Sequence, residues 1–138
     1  AMYDWVRNHI TYKNGPQKGA YKALKDGEGD CEELTALFVA FCRINGIPAR
    51  TVWIPGHCYP EFYLVDQQEE GHWFPCQAAG TRAFGSMPEY RPILQKGDNF
   101  RIPEKSGRQC YVSQQLKIAD VPGGSNPKIE WIEKILSN

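Results

Sequence analysis

The sequence is short of the features that would mark several functional classes. It has no surplus of charge: 16 basic side chains stand against 16 acidic ones, so neither nucleic acid nor an anionic membrane is recommended as a partner. No apolar run reaches the ~20 residues of a membrane-spanning helix. No cysteines are spaced as C-x2-C, and neither His57-Cys58 nor His72-x3-Cys76 makes a paired zinc knuckle; no metal or other cofactor is expected. Histidine is scarce, three in 138 residues, which shortens the search for a base. Internal repeats and low-complexity tracts are absent. The opening Ala1-Met2 carries no signal peptide, as expected of a domain excised from a longer protein. Oligomeric state and compartment stay open.

What is present suits one domain spanning residues 1–138, with 4 Trp, 7 Tyr and 6 Phe to fill a core. The five cysteines are odd in number, so at least one thiol is left over if the others pair. The chain is organised around Gly27 to Arg50. Asp30 is an N-cap and Glu33 completes a capping box, which puts Cys31 at the first helical position. Leu34, Leu37, Phe38, Phe41 and Ile44 form an apolar stripe, and Cys31 falls on the same inward side. Asn45-Gly46 stops the helix and Pro48 forbids its resumption. A thiol at a helix N-terminus is favoured as thiolate. Asp30, Glu32 and Glu33 oppose that through like charge, so a cation or base must come from elsewhere. The plain alternative is a buried structural cysteine.

The remaining elements follow in order. A short helix is expected over Tyr3 to Tyr12, with Tyr3, Val6 and Ile10 on its packed face and Trp5 and Tyr12 packing as well. A helical turn is expected over Ala20 to Lys25. Ala49 to Ile54, His57 to Val65 and His72 to Gln77 read as three antiparallel strands, with Pro55-Gly56 and Asp66–Gly71 as the breaks. Gly80 to Gly107 reads as long ordered loops, and Gln109 to Ile118 as another strand. Asn126 and Pro127 open a last helix whose stripe is Ile129, Ile132, Ile135 and Leu136. The class is α+β, a nucleophile helix packed on an antiparallel sheet.

A nucleophilic thiol needs a base, and the base an orienting partner. His9 lies among polar neighbours, and His72 at the far end of the hairpin. His57 follows the Pro-Gly break at a sheet end, and is the candidate base. Pairing outward from the Asp66–Gly71 turn brings Gln77 opposite about Tyr59 or Pro60, beside His57. Asp66 is nine residues from His57, roughly 30 Å at ~3.3 Å per residue. The third group is therefore an amide, whose oxygen can accept the imidazole N–H and set the tautomer. Its plain alternative is a polar strand-end residue without a role.

Gly29-Asp30-Cys31 with its helix, and Gly46-Ile47-Pro48-Ala49-Arg50, resemble the core of the transglutaminase-like superfamily. So does His57-Cys58-Tyr59-Pro60-Glu61-Phe62, and Trp73-Phe74-Pro75-Cys76-Gln77 resembles that family's Trp-centred strand ending in Asp. The match covers roughly Tyr3 to Gln77, with weaker similarity through Arg91–Arg101. The resemblance implies a papain-like cysteine-proteinase fold with Cys31 as nucleophile and His57 as general base. Two positions depart from the pattern: Gln77 stands for the Asp, and Tyr59 for the frequent Trp. The implied activity is acyl transfer on a peptide or glutamine carboxamide of a protein or peptide substrate, with the Cys31 N–H as one oxyanion donor. Hydrolysis stands beside transamidation, since bacterial members are often regarded as peptidases; an exported bacterial parent protein would suit such a domain. The rival readings are a binding or scaffold module that has lost catalysis, which Gln77 favours, and a disulfide-stabilised domain, which needs Cys31 paired.

Overall fold

The computed structural model describes residues 1–103, 105–112 and 130. Its elements run α1 (Met2–His9), β1 (Thr11–Tyr12), α2 (Gly19–Asp26), β2 (Glu28–Gly29), α3 (Cys31–Ile44), β3 (Ala49–Ile54), β4 (His57–Val65), β5 (Gly71–Pro75), β6 (Gln95–Lys96), β7 (Phe100–Arg101) and β8 (Arg108–Gln109). None of the described helices is long and apolar enough to cross a membrane.

Capping, apolar periodicity and a glycine stop set the limits of α3. The capping box between Asp30 and Glu33 forms, and Gly46 adopts the left-handed φ of 74° that ends the helix. Leu34, Leu37, Phe38, Val39 and Cys42 are buried. Ile44, expected in the stripe, is 81% exposed: in the last turn a helix has packing partners on one side only. α3 packs against α1, α2, β3 and β4. Around it, Val6, Ile10, Ala49, Phe62 and Cys76 close the main core.

The four-stranded sheet has the order β5-β4-β3-β6, antiparallel throughout. Ile54 pairs with His57, so Pro55-Gly56 is a two-residue turn. Proline presets its first φ, and Gly56 takes the positive φ of 69°. That turn fixes His57 at the end of the sheet. A ladder of charge then crosses all four strands. Glu61 of β4 accepts from Arg50 of β3 at 2.9 and 3.0 Å and from Lys96 of β6 at 2.9 and 3.2 Å, while the Arg50 guanidinium lies 3.8 Å over the Trp73 ring of β5. Burial runs on both faces of β4 from Cys58 to Phe62, because α3 covers one face and a smaller cluster of Val52, Ile54, Tyr59 and Met87 covers the other.

Several expectations are corrected. The first helix ends at His9, and Thr11–Tyr12 instead pairs in parallel with Glu28–Gly29. Tyr12 is 53% exposed; Trp5, at 37%, packs on Phe41 and His9 at the rim of the core. The helical turn at Ala20 to Lys25 extends to eight residues. The third strand ends at Pro75; Cys76 then bridges to Phe84. The Gly80 to Gly107 loops hold β6 and β7, which no sequence period announces. Of the described residues of the strand expected over Gln109 to Ile118, Gln109 pairs, in β8, and 110–112 lie outside any strand; residues 113–118 and, Glu130 apart, the expected last helix lie outside the described residues. All five cysteines are unpaired thiols, so the disulfide-stabilised reading falls.

Candidate active site

The first turn of α3 is assembled around backbone donors. Asp30 accepts from the Glu32 N–H at 2.8 Å. Glu33 is turned away from the thiol: one oxygen accepts from the N–H groups of Lys18 (2.8 Å) and Gly19 (3.2 Å), the other from that of Asp30 (3.3 Å). Burial alone would push the Glu33 carboxyl up, but these donors outweigh it and hold it below the ordinary range. Gly29 makes the close approach possible, since a Cβ there would sit 2.5 Å from the Glu33 Cβ. Glu32 differs: burial first, then the charges of Asp30, Cys31 and Glu33, push it up to about 7.

Cys31, half-buried at the first helical position, is held down to about 4. The largest cause is the neighbouring Cys58 thiol. Burial opposes it, and His57 and the Cys58 main-chain N–H add to the lowering. Cys58 stays protonated: the neighbouring Cys31 and its own burial both push it far up. His57 is raised above its usual 6.5, first by Cys31, against burial, and then by Gln77 and the charge of Glu89. Both shifts favour the thiolate–imidazolium form of the pair. The like charges that the sequence sets against a thiolate are outweighed by β4, not by the helix end alone.

Gln77 is fully buried. Its Oε1 lies 2.8 Å from His57 Nε2, and its Nε2 donates to Glu89 Oε1 at 3.2 Å. Its backbone is pinned on both sides: the N–H donates to the Ala83 carbonyl at 2.9 Å, and the carbonyl accepts from Arg7 Nη1 at 2.8 Å. The structure thus brings Cys31, His57 and Gln77 together. It leaves the other histidines outside: His72 faces Asp66 at 3.3 Å on the surface, and His9 stacks on Trp5 at 4.4 Å. Tyr59 is buried against Val52 and Ile54.

Cys31 and His57 open onto a cavity of about 440 Å³, lined also by Tyr12, Asn14, Asp30, Glu32, Trp53, Ile54, Gly56, Leu94 and Tyr111. Sequence reasoning missed Cys58, Arg7 and Glu89. The first was within reach, being adjacent to His57, but strand alternation assigns neighbours to opposite faces. The other two lie 70 and 12 residues from Gln77, and no local pattern marks them.

Among solved structures, a candidate cysteine protease from Cytophaga hutchinsonii is similar at 27% identity with a TM-score of 0.46, over 56% of this chain and 29% of that one. The chain therefore spans under a third of that protein's length. No curated protein matches. Residues 1–78 match the family model of the transglutaminase-like superfamily. The match takes in more than half of the sequence, including the cysteine-bearing helix and the strands of the main hairpins. This chain belongs to the transglutaminase-like superfamily, with an α+β, papain-like fold.

Proposed function

We propose that this domain performs thiol-dependent acyl transfer on a peptide or glutamine carboxamide, with Cys31 as nucleophile, His57 as acid and base, and Gln77 as the group that orients His57. The observation that carries the reading is the position of His57, between the Cys31 thiol and the Gln77 oxygen. An amide oxygen only accepts, so Nε2 carries a hydrogen and Nδ1 is left for the thiol's proton. The Cys31 thiolate attacks the carbonyl carbon, a C–S bond forms, and the carbonyl π electrons move to oxygen. The main-chain N–H of Cys31 has no intrahelical acceptor at the first helical position and is available to that oxyanion. As the C–N bond breaks, the imidazolium gives its proton to the departing nitrogen, leaving a thioester. Water or an amine then attacks the thioester while His57 takes its proton, and the thiolate leaves. Water gives hydrolysis and an amine gives transamidation.

The test is incubation with glutamine-containing peptides, with and without hydroxylamine, read by mass spectrometry of both peptide and protein. The reading expects deamidated, cleaved or hydroxamate product, an acyl adduct on Cys31, and loss of both in Cys31→Ala. Product formation that survives Cys31→Ala would overturn it. So would peptides that bind without turnover at a Cys31 no more reactive than an ordinary thiol, which is the outcome for a binding module.

A further inference from the structure

We propose that Glu89 is a positioning residue for His57: its carboxylate holds the Gln77 amide the right way round and supplies the negative charge that an amide third member lacks. This rests on the reading of Cys31 and His57 given above.

The argument begins with the symmetry of an amide. Turning the Gln77 side chain by half a rotation exchanges its oxygen and its NH2 with little change in shape. In one orientation Gln77 accepts from His57 Nε2–H and leaves Nδ1 as the base. In the other it donates to Nε2, the neutral ring carries its hydrogen on Nδ1, and no lone pair is left for the thiol. The neutral ring of His57 does not choose between them, since its own tautomer can follow either; only the imidazolium, with both nitrogens donating, demands the oxygen. The second neighbour of the amide makes the choice. Glu89 Oε1 lies 3.2 Å from the other end of the amide, and a carboxylate only accepts. The end that meets Glu89 must be the NH2, so the oxygen must face His57.

Glu89 is itself held in place. Its second oxygen lies 2.6 Å from Arg91 Nη2 as an ion pair, without the alignment of a hydrogen bond, and Arg91 Nη1 donates to the Pro55 carbonyl at 3.0 Å. Pro55 belongs to the two-residue turn that delivers His57. The contacts thus close a ring, from His57 through Gln77, Glu89 and Arg91 back to the turn under His57. Full burial of Gln77 keeps water from substituting for either partner. The charged groups facing this assembly are Cys31 from α3, Arg7 from α1 on the Gln77 carbonyl, and Glu89 with Arg91 from the loop before β6. The charge of Glu89 also favours the imidazolium form of His57, which is what an aspartate in the place of Gln77 would do by direct contact.

Glu89→Ala and Glu89→Gln separate the two roles. In Glu89→Ala the amide is released, and the neutral ring of His57, followed by long-range 1H–15N spectra of the imidazole, should shift from the Nε2–H toward the Nδ1–H tautomer. Alkylation of Cys31 near neutral pH should fall by up to roughly tenfold, as a hydrogen bond to a charged group is lost. In Glu89→Gln the charge is lost while a polar partner for Gln77 remains, one that can present either its oxygen or its NH2, so the alkaline limb of the Cys31 profile should move down by up to about one pH unit. A purely structural Glu89 would leave the tautomer and that limb where they are. An unchanged tautomer in Glu89→Ala, together with an unchanged limb in Glu89→Gln, overturns the proposal while leaving the Cys31–His57 reading intact. Failure of that reading looks different: wild-type Cys31 would alkylate no faster than an ordinary thiol.

Discussion

The two ends of α3 each carry a cysteine, and the two thiols are opposites. Cys31 and Cys42 are eleven residues apart, three turns of the same helix, so they share one side of it. Cys42 is 1% exposed and has only burial acting on it, which pushes it up to about 11. Cys31 bears the same kind of penalty and is nevertheless held down to about 4. The helix favours a thiolate at its N-terminal end only, and the sheet adds to that end the groups that hold Cys31 down. The first two residues of β4 supply an S–H, an N–H and an imidazole to Cys31, and nothing comparable reaches Cys42. Cys76 repeats the lesson: burial first, with the neighbouring Cys42 and against Arg7, pushes it up to about 12. In this fold, burial by itself pushes a thiol up, and burial beside donors and a cation leaves it held down.

The contrast can be broken most severely at His57. His57→Ala removes the cation, and iodoacetamide labelling of Cys31 at pH 6, followed by peptide mapping, should fall roughly tenfold as the thiol rises part of the way toward its ordinary value of ~8.5, Cys58 still holding it down. A rate within threefold of wild type would mean that Cys58 alone holds the thiolate.

The support under the reactive end is the next largest effect. Glu33→Gln replaces a carboxylate that satisfies three N–H groups and should cost about 3 kcal/mol in urea unfolding. Because the folded Glu33 value lies below its unfolded one, its contribution is fully present above the unfolded value of ~4.3 and is lost as pH falls through the folded one. The gap between variant and wild type should therefore close in acid; a gap of constant size would contradict this account of Glu33.

At the inert end the expectation reverses. Cys42→Ala should cost about 1 kcal/mol through the small cavity it leaves, with the Cys31 labelling profile unchanged. A shift in that profile would show that the two ends are not independent.

The smallest effect is expected at Glu32. Glu32→Gln should leave the Cys31 midpoint where it is, because a carboxyl raised to about 7 is still uncharged where a thiol held down to about 4 titrates. It should flatten one part of the stability curve. A carboxyl raised to about 7 in the fold binds more protons folded than unfolded between ~4.3 and that value. Wild-type stability therefore loses this contribution as pH rises through the window, and the variant should not. Parallel thermal melting curves at pH 5 and pH 8 for the two proteins would contradict it.

What could be read from the sequence follows rules that act over a few residues. Asp30 and Glu33 announce the start of α3 through capping chemistry, Gly46 announces its stop, and Pro55-Gly56 announces the turn before His57. Antiparallel register, counted from the Asp66–Gly71 turn, is enough to send Gln77 toward His57; the observed pairs Glu61–Pro75 and Phe62–Phe74 continue to that same place. What could not be read is tertiary. Arg7 reaches Gln77 from α1, and Glu89 reaches it from a Gly- and Pro-rich segment without any period. β6 is two residues long and exists because β3 offers it an edge. The first helix stops at His9 because Thr11–Tyr12 finds a parallel partner in Glu28–Gly29, a pairing across fifteen residues that helical periodicity cannot foresee.

The most direct test of the central claim is the pH–rate profile of iodoacetamide labelling at Cys31 and Cys42 in the same wild-type sample, resolved by peptide mapping. The account predicts a Cys31 midpoint near pH 4, a plateau through neutrality, and a Cys42 that stays unlabelled until the protein unfolds. A Cys31 midpoint near the ordinary ~8.5, with no plateau below it, would contradict the claim that β4 makes this thiol a nucleophile.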